Sequence, residues 1–158
     1  MQMFSWVKYA HVLFSFVFVA ALFATHWNVL AARRTKDWTA RAALFELNQR
    51  LSVLFGLVAL IGLGLAGNML AMQLGYSMKT TTVFRIVNGL WLASLAIALA
   101  VDLPTSMKLS ALARSAANGS NGNDPVDWNG TLGRWRLGNM AQLGLFLVML
   151  YYMVGPWA

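Results

Sequence analysis

The chain has 158 residues, 59% apolar and 11% charged, with a formal net charge of +7 and no cysteine. Soluble domains carry about 25% charged residues, so the composition excludes an ordinary water-soluble fold and predicts one membrane domain over residues 1–158. The missing cysteines exclude disulfides, thiolate metal sites and cysteine nucleophiles.

The first apolar run covers residues 3–25. At about 1.5 Å per residue it crosses the roughly 30 Å hydrocarbon core of a bilayer. Lys8 and the small residues Ala20, Ala21 and Ala24 give it a superficial likeness to a secretory signal. The run exceeds the usual 7–15 apolar residues of such a signal, so it is read as a retained span. Three more runs follow, at residues 51–74, 83–103 and 137–154. The fold class expected is all-α: an integral membrane four-helix bundle, up-down-up-down.

The connections at 26–50 and 104–136 hold Arg33, Arg34, Lys36, Arg41, Arg50, Lys108, Arg114, Arg134 and Arg136, against only Lys8, Lys79 and Arg85 elsewhere. That placement sets membrane orientation and gives no sign of nucleic acid. It predicts cytoplasmic connections, both termini on the periplasmic side and residence in a bacterial inner membrane, with lipid as the surrounding partner. Within the first connection Trp38, Ala42, Leu44 and Phe45 recur at helical spacing. They suit an amphipathic helix at the interface or one that extends the second span.

The second span carries Gly56, Gly64 and Gly67 on one face, with Ala59 at its edge. Small residues let helices approach closely in lipid, either within the bundle, against other membrane subunits or in self-association, or leave room for a flat macrocycle. The string Gly62, Gly64, Gly67 is no dinucleotide site, because no strand precedes it. Arg85 and Asn88 stand one turn apart in the third span. Asp102-Leu103-Pro104 is expected to end that span, with Thr105 capping a short helix to about Ala117. Residues 118–133 read as a loop rich in Gly, Asn, Ser and Asp. Its sequons at Asn118 and Asn129 are incidental, and Asn121, Asn123, Asp124 and Asp127 lack calcium-loop spacing. Arg134-Trp135-Arg136 is expected to anchor the fourth span at the inner interface. Asn139 and Gln142 face inward, and Tyr151, Tyr152, Pro156 and Trp157 form the outer aromatic belt with Trp6 and Tyr9.

The chemistry concentrates on the first helix, where Lys8, His11, Ser15 and His26 share a face. A polar face within a span points into the bundle or at a partner. His11 and His26 lie about 22 Å apart along the helix, too far to share an ion. Three readings of His11 stand: a hydrogen bond to Asn88, Asn139 or Gln142, axial ligation of a haem b or quinone-linked redox chemistry, and proton transfer. An interfacial His26 is comfortably hydrated. Acidic residues are absent from the spans apart from the terminal Asp102, which argues against a proton-coupled transporter.

The opening W-V-K-Y-A-H (Trp6 to His11), the basic connection, the Gly-rich second span and the last span's R-W-R-L-G-N (Arg134 to Asn139) carry a resemblance. This layout resembles small four-helix bacterial inner-membrane proteins related to the copper-resistance D domain and the HemJ-type protoporphyrinogen oxidase. The resemblance implies a haem-binding His at His11, which would be the iron ligand, with Lys8 as the matching early lysine; Ser15 and His26 join that haem site only by sharing their helix face. Where those proteins continue with a Trp-Ala-Gly-Leu-Phe-like stretch and an Arg before a later His, residues 16–25 hold no Gly, Trp or Arg. The function expected first is therefore a non-catalytic subunit or accessory protein of a respiratory or redox membrane complex. The alternative is a haem-b-binding redox protein or HemJ-like oxidase using His11, and a small transporter comes third.

Overall fold

The computed structural model describes residues 2–119 and 125–154, and the side chains of residues 6–119 and 125–154. Helix α1 spans Gln2–Arg34, an unbroken run without Gly or Pro. After a short turn, Asp37 caps α2 (Trp38–Leu51), its carboxylate accepting from the Thr39 and Ala40 amides at 3.0 and 3.2 Å. A π-helical turn, Ser52–Leu57, joins α2 to α3 (Val58–Gln73) without a break. At the end of α3, Gly75 takes a φ of +80°, and the Tyr76 and Gly75 amides return to the Ala71 and Met72 carbonyls. This is the paired closure that a left-handed glycine permits. Helix α4 (Thr82–Ile97) continues through a second π-helical turn, Ala98–Asp102, into α5 (Leu103–Gly119), and α6 covers Trp128–Val154. Every described element is helical, and four continuous helices are long and apolar enough to cross a membrane.

Three sequence expectations change here. Pro104 does not end the third span, because Thr82–Gly119 is one helix. Proline lacks an amide and its ring presses on the carbonyl four residues back. The widened turn at Ala98–Asp102, immediately before it, loosens that crowding. Thr105 is accordingly no cap: its hydroxyl donates to the Val101 carbonyl at 2.6 Å within the helix. The expected loop at 118–133 is shorter than its composition suggests. α6 starts at Trp128, and Trp128, Thr131 and Leu132 are buried. Asn121, Asn123 and Asp124 lie outside the described residues, as do Pro156 and Trp157. Trp135 is no interfacial anchor either. It is 1% exposed, whereas Arg134 and Arg136 on either side are exposed.

The first connection takes the form that extends the second span. Trp38–Gln73 holds 36 residues and Thr82–Gly119 holds 38, about 54 and 57 Å of helix at 1.5 Å per residue. Both exceed a roughly 30 Å hydrocarbon core by several turns. The surplus gathers at one end, where the last turns of α1, all of α2, most of α5 and the start of α6 enclose Val29, Trp38, Phe45, Leu109, Trp128 and Trp135. Trp128 meets Trp38 and Phe45 edge-on, each at 5.1 Å between ring centres. Arg41 lies over the Trp38 ring, and Glu46 pairs with Arg50 and Arg114 on the outside. This end carries the cluster of Lys and Arg and is called the basic head below.

The spanning part packs differently. α1 lies along α3, and α4 along α6, around Phe18, Ala59 and Leu60. A Cβ on Gly62 would come within 2.7 Å of the Phe14 ring, one on Gly67 within 2.9 Å of the His11 ring, and one on Gly64 would overlap Trp91. Ala21 faces Gly56. On this face Gly64 and Gly67 are covered inside the chain by the rings of Trp91 and His11, whereas Gly56 is half-exposed and a Cβ there would meet Ala21 only at ordinary contact distance.

A candidate intramembrane polar site

The first-helix face named from the sequence is not brought together as one cluster. Lys8 is exposed, and the Ser15 hydroxyl turns back to the His11 carbonyl of its own helix at 2.8 Å. His26 is half-buried, its Nδ1 without a hydrogen-bond partner. His11 Nδ1 lies 3.2 Å from the Leu63 carbonyl of α3, the partner that fixes it, in place of Asn88, Asn139 or Gln142. Gly67, one turn beyond Leu63, gives the imidazole its seat. With Nδ1 donating, Nε2 keeps its lone pair.

The other polar groups of the spans form helix-to-helix pairs. The Asn68 amide donates to Asn88 at 2.8 Å, and Asn88 donates to the Phe84 carbonyl. Trp91 Nε1 donates to the Leu60 carbonyl at 2.9 Å. Gln142 accepts from the Ser94 hydroxyl and donates to the Ser94 carbonyl at 2.8 Å. Each satisfies a polar group that would be costly against hydrocarbon.

Asp102 is the acidic group among those left without a partner. Asp102 is carried inward at the last position of the second π-helical turn, and its Oδ1 is buried without a hydrogen-bond partner. Gly138 of α6 passes directly over that carboxyl, so closely that a Cβ there would overlap Oδ1. Around it is a cavity of about 40 Å³ whose polar lining is Thr25, Ser52, Asp102, Asn139 and Gln142. The Asn139 amide leans toward Thr25 Oγ1 at 3.5 Å. Both π-helical turns reach this cavity, one through Ser52, Gly56 and Leu57, the other through Ala98 and Asp102. Such turns gather at functional sites. The spacing that could have exposed the site is the one-turn pairing of Asp102 with Ser106 and of Asn48 with Ser52 on inward faces. The proline between Asp102 and Ser106 masked it.

Among the described residues no group of three metal-ligating side chains occurs. The family model for a predicted integral membrane protein, DUF2269, matches residues 5–155. The chain belongs to that family. The family's description agrees with the four apolar helices and goes no further than membrane integration. No curated protein and no solved structure matches the chain.

Proposed function

We propose that this family member is a non-catalytic integral subunit or accessory protein of a bacterial inner-membrane complex, of a respiratory or redox kind. Its basic head lies in the cytoplasm and both termini outside, the orientation favoured by the Lys and Arg gathered at that end. The observation that carries the reading is His11 held on the Leu63 backbone. The histidine expected to do chemistry serves, with the Asn68–Asn88 and Ser94–Gln142 pairs, to lock one helix to the next. The test is solubilisation in mild detergent followed by mass analysis of the intact assembly. Stoichiometric co-purification with larger redox subunits is expected; a solitary chain with turnover of its own overturns the proposal.

A second reading keeps haem b at His11. A ring whose Nδ1 donates to a backbone carbonyl presents Nε2 as a metal-ligating atom in a fixed orientation. His11 would be the residue that holds the group, and haem would supply electron transfer there. His26 cannot be the opposite ligand, since it stands about 22 Å along the same helix. An absorbance spectrum, oxidised and then dithionite-reduced, decides. A Soret band lost in His11→Ala establishes this reading, and a featureless visible spectrum of folded protein removes it.

A further inference from the structure

Polar groups without partners are not scattered through this molecule. Besides Asp102 Oδ1, the buried side-chain polar atoms lacking a hydrogen-bond partner among the described residues are both polar atoms of Asn48 with Ser106 Oγ, His26 Nδ1 and Asn28 Nδ2. Asn48 and Ser106 are completely buried. Asn48 stands one turn toward the basic head from Ser52, and Ser106 one turn toward it from Asp102, on two elements packed against each other. On the opposite side of the cavity the chain is closed by Phe18, Ala59 and Leu60 and by the Ser94–Gln142 pair. The unmet polar groups therefore lead in one direction only.

We propose that Asp102 is an intramembrane proton-exchange site, reached through water along Asn48, Ser52 and Ser106 from the basic head and sealed from the other side. A cavity of about 40 Å³ exceeds the roughly 10–15 Å³ that a buried water needs, and the unpartnered Oδ1 gives a water there an acceptor. A hydronium ion relayed along these waters from the head gives its proton to Oδ1, forming the neutral acid and leaving a water. Release is the reverse. Among the described residues Asp102 takes part in no ion pair, so no fixed cation holds it ionised. The titratable groups on the surrounding elements are Lys8, Tyr9, His11, His26, Arg33 and Arg34 on α1, Arg41, Glu46 and Arg50 on α2, Arg85 on α4, Lys108 and Arg114 on α5, and Arg134, Arg136, Tyr151 and Tyr152 on α6. None of them lines the cavity. A carboxyl in such a place changes charge by taking up a proton, because burying it ionised and unpaired is the costlier state. This goes beyond the subunit reading above and does not depend on it.

The experiment is infrared difference spectroscopy of the full chain in lipid nanodiscs, between acid and alkaline pH, in H2O and D2O. A protonated-carboxyl C=O band is expected that titrates, shifts on deuteration and is lost in Asp102→Asn, a near-isosteric change. Carbon-13-labelled aspartate in the unmutated chain should move the same band, which keeps the test independent of how the variant folds. Asn48→Leu should abolish the deuterium shift while leaving the band in place. Absence of any aspartate band that exchanges with D2O overturns the proposal. So does full exchange in Asn48→Leu, which would mean that the proton arrives by another route.

Discussion

At the residue scale, the glycines of this chain divide into two kinds that the sequence alone does not separate. Gly64 faces the indole of Trp91, whose Nε1 is tied to the Leu60 carbonyl and cannot swing away without losing that bond. Gly64→Ala should therefore destabilise the bundle by about 1–3 kcal/mol, the usual cost of overpacking. Gly89 is helical too, yet a Cβ there would meet nothing within 4 Å. Gly89→Ala should be neutral or stabilising by up to about 1 kcal/mol, since only the helix preference changes. Equilibrium unfolding in mixed micelles compares the two directly, and equal effects would refute the assignment. The Asn68–Asn88 bond belongs to the same scale. A double-mutant cycle to alanine should return a coupling of about 0.6 kcal/mol and no more than about 1.7, the mean and the upper end for hydrogen bonds between membrane helices.

At the element scale, the question is why two long helices stay continuous through positions that look like breaks. α2 is set by its cap: the Asp37 carboxylate occupies the first free amides, and Arg41 folds its guanidinium back to the Thr35 carbonyl at 2.8 Å. Asp37→Ala should lower stability by about 1 kcal/mol, seen as a matching shift of the unfolding midpoint, whereas Asp37→Asn should be nearly silent. What was legible at this scale was legible for a physical reason. Hydrocarbon tolerates only long apolar helices, so each span wrote itself as an apolar run, and the inward placing of Asn139 and Gln142 followed from their costliness in lipid. Asp102 was misplaced because Asp-Leu-Pro signals a helix end in water, while here a widened turn absorbs the proline. The fate of Trp135 was hidden for a related reason: a Trp between two arginines reads as an interfacial anchor. It is buried because it packs in one cluster with Trp38 and Phe45 of α2 and Leu109 and Ala113 of α5. The partner of His11 was beyond sequence reasoning altogether, since a backbone carbonyl carries no residue signature.

At the scale of the whole molecule, two cores with different solvents share one set of helices. The head is also tied by the Lys108–Asp127 pair at 2.8 Å, between α5 and the approach to α6. Lys108 holds the Asp127 carboxyl below its ordinary range, first by their hydrogen bond and then by its charge. A carboxylate with a lowered folded value contributes fully above the ordinary aspartate value near 4, and its contribution fades as pH falls through the lower folded value. The unfolding midpoints of the parent and of Asp127→Asn should thus converge on acidification, and added salt should narrow the gap at neutral pH, because both partners are exposed. A gap that persists at acid pH would show that the pair is not its source.

The two cores should also answer differently to the same kind of truncation. Phe45 is completely buried in the head, against Trp128, and Leu60 is completely buried in the spanning part beside Phe18. The head lies beyond the reach of a roughly 30 Å hydrocarbon core. Opening it transfers Phe45 to water, and the hydrophobic effect opposes that. Phe45→Ala should cost about 3–5 kcal/mol. Opening the bundle in a bilayer moves Leu60 from one apolar surrounding to another, so only packing is lost. Leu60→Ala should then cost less than the about 2–5 kcal/mol of a leucine truncated in a water-soluble core. Hydrogen exchange of the chain in nanodiscs separates them. Phe45→Ala should speed exchange across α2, α5 and the first turns of α6 while the amides of α3 and α4 stay protected. Equal loss of protection in both regions would mean that head and bundle unfold as a single unit, and that the membrane boundary drawn across these helices is in the wrong place.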